Sequence, residues 1–383
     1  MKDRIELHGY FDPDACDVAE FEAIVSRQTD PADVPHASEI IANIPAYDMA
    51  AADLEDRAAR RALMAEWAAV LHRGAGAVVL RGVYADTTVL DRATDVFMDI
   101  IAAEKAGKGG GADHFAAAGA NDRVWNAQEK LCLAAPEVFV QYFGQPALDA
   151  MCEAWLGRGY QMTSQVNLVR PGGQAQEAHR DYHLGFMTQA QAAGFPAHMH
   201  LLSPMLTLQG AVAHCDMSVE SGPTQLLPFS QCYEAGYVAF HRDDFRAVFA
   251  ARSVQVALQK GDALFFSPAL FHAAGENRTA DVQRFANLLQ VSSPMGRAME
   301  RLDRRAMCRA IYPYLGGLDG LAREAAIAAA AEGYAFPTSL DTDPPVGGLA
   351  PETDAEIVRR ALRDGLDVAA LGAALEAAEA KRG

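Results

Sequence analysis

The sequence predicts an α+β protein with a mainly β core, a sandwich or barrel, flanked by helical segments at both ends. Three observations predict it. Between about 160 and 292, apolar or alternating runs recur at 161–169, 204–213, 223–228, 253–258, 262–267 and 284–292, bounded by Gly, Pro, Ser and Asn. Upstream of that region the long periodic stretches are helical. After Met299 the pattern is helical again to the end.

Residues 1–48 are irregular and carry Pro13, Pro31, Pro35 and Pro45, so short helices and loops wrapping the surface are expected there. From Ala50 to His72 the composition is that of a helix, stopped by Gly74 and Gly76. Ala77-Val78-Val79-Leu80-Arg81 reads as a short strand. Thr88 with Asp91 resembles a capping box, and the helix behind it sets Val89, Leu90, Ala93, Val96, Phe97, Ile100 and Ile101 on one stripe. Residues 105–124 are small and glycine-rich, and a stretch of that length is either a lid or disordered. Two helices follow over about 135–143 and 147–156, divided by Gln145-Pro146. Late in the chain, Thr353-x-x-Glu356 caps a helix carrying Ile357, Val358, Ala361 and Leu362.

The chain has 383 residues, half of them hydrophobic, enough for a sizeable core. Its net charge of −17 argues against nucleic acid and anionic membrane as partners, since both require a positive field. A small anionic ligand needs only one local arginine and is not excluded. The six cysteines are scattered, without a CxxC pair, as in reduced thiols of a cytoplasmic protein. No secretory signal or membrane span is evident.

The chemistry concentrates on His179-Arg180-Asp181 and on His272. On an extended segment, His179 and Asp181 point to one face and Arg180 to the other. Two imidazoles and a carboxylate on one face of an iron leave coordination positions open, the arrangement of non-haem Fe(II) oxygenases. An HxD alone says little among eleven histidines. Here it follows a Pro-Gly turn, the distal histidine closes the apolar run 263–271, and an arginine opens the next strand. That arginine, Arg284, suits an acidic cosubstrate, because a guanidinium fork pairs bidentately with a carboxylate. Alternation sets Arg284, Ala286, Leu288 and Gln290 on one face of its strand, whereas Arg278 reads as a solvated loop charge. His183 is expected beside the metal or facing substrate. His198 and His200 form an HxH pair with no carboxylate in a similar frame. His214 is expected in a turn or pocket wall, and His72 and His241 at the surface. Trp125 is either a core aromatic or, with Asn126, part of the element that closes over substrate. Arg170, at the head of the Pro-Gly turn, is a further substrate-side candidate.

These segments resemble the phytanoyl-CoA dioxygenase family of Fe(II)/2-oxoglutarate oxygenases. The likeness covers about 74–293 and rests on four stretches: Gly76 to Val83; Arg170-Pro171-Gly172 leading to His179-Arg180-Asp181; Asp216 through Glu220-Ser221-Gly222-Pro223 to Ser230; and His272 to Asn277 with Arg284. The third departs from the family at Pro228-Phe229-Ser230-Gln231, which lacks the usual glycine and histidine. The resemblance implies a double-stranded β-helix, a cupin-like jelly roll with helices on one sheet. It implies iron on His179, Asp181 and His272, and 2-oxoglutarate with its far carboxylate on Arg284. It also relates Gln165-Val166-Asn167 to the strand from which family members reach cosubstrate and substrate, with a one-residue offset that leaves open which side chain points inward. Asp181 stands where the family's halogenases carry a small residue, which favours hydroxylation.

The expected layout is therefore an N-terminal helical wrap over 1–73, the double-stranded β-helix over 74–299, and a C-terminal helical extension over 300–383 packed on the core. The C-terminal helices serve either as a homodimer arm or as pocket wall. The expected activity is hydroxylation of an unactivated C–H bond of a small organic substrate with Fe(II), 2-oxoglutarate and O2, releasing succinate and CO2. The rivals are a cupin-like isomerase or hydrolase that does not use 2-oxoglutarate, and a non-catalytic ligand-binding protein on the same scaffold.

Overall fold

The computed structural model describes residues 9–107 and 121–382. Its strands are β1 (Glu39–Ile41), β2 (Ile44–Asp48), β3 (Ala77–Arg81), β4 (Asn121–Val124), β5 (Gln161–Val169), β6 (Thr207–Ala213), β7 (Gln225–Leu226), β8 (Ala263–Phe266), β9 (His272–Ala273) and β10 (Arg284–Ser292). Eight of them form the main sheet in the order β1-β2-β3-β8-β6-β10-β5-β4. Every pairing in it is antiparallel except β2 with β3. The second sheet is much slighter. β7 pairs with β9, and single bridges attach His179 to His272 and Leu226 to Val254. Its spatial order is the His179 segment, β9, β7, then the Val254 segment, facing the main sheet as in a jelly roll.

The alternation in β10 shows why the layers form. Phe285, Asn287, Leu289 and Val291 are buried on one face, where Phe285, Leu289 and Val291 join Val166, Leu168, Leu208 and Phe265 in the largest apolar cluster. Helices Thr88–Ala106, Pro136–Phe143 and Pro146–Leu156 cover that face with Phe97, Phe139, Val140 and Met151. Fully burying one such side chain is worth about 1.5–3 kcal/mol, so this layer supplies most of the sheet's support. The opposite face of β10 carries Arg284, Ala286, Leu288 and Gln290 and looks into the space between the sheets. After β10, helices Arg304–Leu315 and Gly320–Ala330 pack into the same large cluster through Ile311, Leu315, Ala326 and Ile327. The Thr353 capping box is present in full, with the Thr353 hydroxyl and the Glu356 carboxylate bonded reciprocally.

Several local expectations are corrected. The N-terminal segment is not only helix and loop, since β1 and β2 extend the main sheet beyond β3. Ile44 and Tyr47 are buried there and Asp48 is exposed, a pattern too short to read as a strand in the sequence. The helix expected from Ala50 starts at Arg57, where Asp56 accepts from the Ala58 and Ala59 N–H groups. Thr88 is not a cap: Thr87 holds that position without a side-chain bond. Instead the Thr88 N–H donates to Asp86 Oδ1. Within 105–124, Asn121–Val124 is strand β4, and residues 108–120 of the expected lid lie outside the described residues. Helix Ala127–Ala134 had no expectation. Among the described residues, no helix is long and apolar enough to cross a membrane.

Candidate metal centre and its cavity

His179 and His272 face each other across the second sheet. Each backbone N–H donates to the other's carbonyl, at 3.0 and 3.1 Å. This reciprocal pairing sets the two imidazoles side by side, with ring centroids 4.5 Å apart. Two residues on, the Asp181 N–H donates to Pro268 O, and the chain then turns sharply with Tyr182 and His183 at φ of 29° and 64°. Two consecutive non-glycine residues in that region are strained, and such strain persists where surrounding contacts enforce it. Asp181 Oδ2 comes within 3.7 Å of His179 Nε2 and 3.5 Å of His272 Nε2. The sequence places all three residues as ligands, and the structure brings one donor atom from each within 4.8 Å of the others.

The polarity of each group suits a cation. His179 Nδ1 donates to Glu177 O at 2.7 Å, and His272 Nδ1 donates to Leu270 O at 2.8 Å. A carbonyl only accepts, so both Nδ1 atoms carry the proton and both Nε2 lone pairs face the common point. Burial and the neighbouring His272 hold the His179 imidazole below its ordinary value. Burial alone would raise the Asp181 carboxyl, but the His272 bond, His179 and the Gln209 amide bring it down to about 2. The set is thus two imidazole nitrogens and one carboxylate oxygen. Their spacing fits an ion whose bonds to such donors are about 2.0–2.2 Å. Iron fits this donor set.

Arg180 points away from the centre, as alternation requires. It is buried, and its Nη2 donates to Ser230 O and Tyr233 O at 2.6 and 2.9 Å. The guanidinium lies over the Tyr237 and Phe271 rings. A side chain at Gly236 would put its Cβ 1.9 Å from Arg180 Cζ, so only glycine fits there. Arg180 therefore ties the HxD segment to the helix turn beneath it.

A cavity of about 650 Å³ opens from the centre along the inner face of the main sheet. That volume suits a drug-sized molecule. Arg284 lines it and is only 7% exposed. Its Nη1 donates to Ser221 O and Gly275 O at 3.3 Å, and burial lowers its pKa to about 10, leaving it cationic at neutral pH. Glycine is required at Gly222, where φ is +75° and a Cβ would meet Glu276 O at 2.3 Å, in the turn that carries the Ser221 carbonyl. Arg278 is exposed, as expected. Gln165 and Asn167 both line the cavity and Val166 points into the helical core, which resolves the offset left open by the sequence.

The other candidates divide. Trp125 lines the cavity beneath the Arg123 guanidinium. Asn126 does not line it: in a left-handed turn, its N–H donates to Glu300 Oε1. His183 is bonded through Nδ1 to Thr207 Oγ1 and is not in the wall. Arg170 pairs with Asp122 on β4, which Lys105 also bonds, so it braces the sheet edge rather than the cavity. His214 is not a pocket wall. It is buried among Thr94, Tyr142 and Phe285, with both nitrogens bonded and its pKa pushed down to about 3 by burial. His198 and His200 sit on helix Ala197–Leu202, which turns one outward and buries the other. His241, expected at the surface, lines the cavity beside Phe240.

Sequence reasoning missed Arg123, Gln209 and Met299. A polar residue inside the apolar run 207–213 was the available signal for Gln209, which donates to Asp181 Oδ2 at 2.8 Å. Arg123 follows a stretch with no periodicity and gave none.

Residues 72–286 of the chain match the model of the family described as phytanoyl-CoA dioxygenase (PhyH). Among curated proteins, it is 29% identical over 136 residues to dioxygenase trt7 of Aspergillus terreus (strain NIH 2624 / FGSC A1156), covering 36% of this chain and 42% of that one. It is 26% identical over 151 residues to dioxygenase andF of Emericella variicolor, covering 38% and 46%. The match thus spans less than half the length of these relatives. Among solved structures, the non-haem alpha-ketoglutarate-dependent epimerase SnoN from nogalamycin biosynthesis shares 19% identity at a TM-score of 0.43, covering 61% of this chain and 82% of that one. The carbocyclase SnoK from the same biosynthesis gives 19% and 0.43, covering 59% and 83%.

Proposed function

Since the chain belongs to the phytanoyl-CoA dioxygenase family, we propose that it is an Fe(II)/2-oxoglutarate-dependent dioxygenase that hydroxylates an unactivated C–H bond of a small organic substrate. The balance is one R–H, one O2 and one 2-oxoglutarate giving R–OH, succinate and CO2. The observation that carries the reading is the convergence of His179, Asp181 and His272 in the same cavity as a buried, cationic Arg284.

His179 and His272 would hold iron through Nε2, and Asp181 would hold it through its carboxylate. Iron bound there with 2-oxoglutarate would supply the dioxygen activation and C–H oxidation that no side chain can perform. The protein's own part is geometry and exclusion of water. The Glu177 and Leu270 carbonyls lock the imidazole tautomers. Gln209 fixes the Asp181 carboxylate. Arg284 pairs with the far carboxylate of 2-oxoglutarate, and its burial strengthens that pairing by keeping water away. Gln165 and Asn167 offer amide groups to the cosubstrate from β5. Leu264, Phe266 and Leu288 form the apolar wall, and Trp125 and Met299 flank the substrate side.

The test is anaerobic titration of the Fe(II)-loaded protein with 2-oxoglutarate, read by the weak visible charge-transfer band of a keto acid chelated to ferrous iron. The band is expected in the wild type, absent in His179→Ala and weakened in Arg284→Ala. Iron binding without a band removes 2-oxoglutarate from the account and leaves a metalloenzyme of another kind.

A further inference from the structure

Two glutamines stand side by side next to the metal ligands, and the iron-holding role given above involves only one end of one of them. Gln209 on β6 and Gln290 on β10 are register partners, so their side chains leave the main sheet on the same face. Both line the cavity. Among the described residues, Gln209 Oε1 and Gln290 Oε1 are buried and have no hydrogen-bond partner. The neighbouring hydroxyl does not serve them, because Thr163 Oγ1 donates to the Gln290 backbone carbonyl. Buried polar atoms are satisfied by protein, water or ligand, and these two sit on adjacent strands of one cavity wall, where a ligand can serve both.

The orientation of Gln209 is not arbitrary. Its Nε2 donates to Asp181 Oδ2 at 2.8 Å. Flipping the amide would set oxygen against an ionised carboxylate. Gln209 therefore holds a fixed acceptor in the cavity wall, and a fixed acceptor selects a donor. Gln290 has no such constraint and turns its amide nitrogen or oxygen to whatever arrives. Next to the pair the sheet supplies Phe266, the register partner of Gln209 on β8, and Leu288, two residues before Gln290 on the same face.

We propose that Gln209 and Gln290 form the substrate-orienting subsite, and that it takes an otherwise apolar molecule carrying a neutral hydrogen-bond donor, a hydroxyl or an amide N–H. A hydroxyl donates to Gln209 Oε1 and accepts from Gln290 Nε2, whereas an amide N–H donates to Gln209 Oε1 alone. The group is held within one side chain of Asp181, so the C–H bonds beside the donor are the ones offered for oxidation. At this pair a carboxylate is rejected, because it would meet the fixed Gln209 oxygen. A ketone or ester keeps only the Gln290 contact. The inference rests on the dioxygenase reading for the meaning of "substrate", but its discriminating power comes from the two amides alone.

The experiment uses fluorenol and fluorenone, a flat tricyclic alcohol and its ketone. Each is measured by anaerobic equilibrium dialysis against the full-length protein with Fe(II) and 2-oxoglutarate, after the visible band has been recorded on the same sample. Wild type is expected to bind the alcohol about fivefold more tightly than the ketone, the difference one neutral hydrogen bond makes. Gln209→Met, which removes the fixed acceptor at nearly constant length, is expected to bring that ratio to about one. Gln290→Leu is expected to weaken both probes by a similar factor of about five and leave their ratio standing. A wild-type ratio near one, no binding of either probe, a ratio that survives Gln209→Met, or unchanged affinities in Gln290→Leu would each overturn the proposal. Should Gln209→Met not fold, the wild-type ratio and Gln290→Leu decide it. A missing visible band with the ratio intact sinks the dioxygenase reading and leaves the subsite standing. The band with a ratio of one does the reverse.

Discussion

The two sheets of this molecule are built differently. β10 pairs with β5 without interruption from Arg284↔Val169 to Ser292↔Gln161, and with β6 along most of the same length. The second sheet consists of the two-residue pairing of β7 with β9 and isolated bridges at His179 and Val254. Yet the three candidate ligands lie on or next to the second sheet, and the main sheet carries Arg284, Gln165 and Asn167, the residues proposed to meet organic molecules. A long ladder backed by an apolar cluster gives a rigid floor. A ladder of bridges allows sharp turns such as Asp181-Tyr182-His183, which aim side chains that a regular strand could not. Local stability follows pairing and burial, so the metal-bearing side is expected to be the softer one until an ion joins its segments.

The sharpest way to break this contrast is to strike the second sheet at a ligand. His272→Ala is expected to abolish iron binding and succinate formation. The loss should exceed the roughly 10–100-fold typical of residues that only orient a ligand, while the metal-free protein keeps its melting temperature. Iron stoichiometry and calorimetry check both halves. Arg284→Ala strikes the floor at its cosubstrate end. It is expected to raise the Kd for 2-oxoglutarate by about 30-fold or more, the scale of losing one partner of a buried charge pair, with iron still bound. Leu289→Ala strikes the floor from behind. It is expected to lower global stability by about 2–5 kcal/mol in urea unfolding and to leave the Kd for 2-oxoglutarate unchanged at low temperature. An effect on cosubstrate equal to the effect on stability would mean the two layers are not separable.

The smallest expected effect is a pH dependence at Glu300, the carboxylate that caps the Asn126 turn. Burial pushes the Glu300 carboxyl up to about 7, against the Asn126 N–H, Lys130 and Arg123, which favour its charge. A folded-state pKa above the ordinary 4.5 means the folded form holds the proton more tightly. Its contribution is therefore full below about 4.5 and lost as pH rises through about 7. Melting temperatures of wild type and Glu300→Gln should diverge between pH 5 and pH 8, with the wild type losing more. Parallel curves would show that Glu300 titrates normally.

The same contrast explains what could be read in advance. β5 and β10 are visible in the sequence to the residue, because one face of each is packed on helices and the other lines the cavity. The HxD, the distal histidine and Arg284 are visible because their chemistry is unusual and their order along the chain is fixed. The runs holding Leu226 and Val254 are visible as strand-like, but their pairing is not, since a single bridge fixes no register in the sequence. β1 and β2 are hidden for a related reason: they join the edge of a sheet whose pattern begins far downstream. Trp125 and Arg123 reach the cavity because β4 pairs with β5, and that register depends on a strand separated from it by three helices. His183, Asn126 and Arg170 stand near the right elements but turn elsewhere, which chain proximity cannot foresee.

The three ligand side chains are unequally sheltered: His179 is 28% exposed, Asp181 13% and His272 6%. For an ion held by these three side chains, exchange would have a direction. An arriving cation would meet the His179 imidazole first and the inner histidine last, and a chelator in solution would compete for the outer histidine's bond before any other. The rate of metal loss would then be set at one residue, while the affinity would be shared among three.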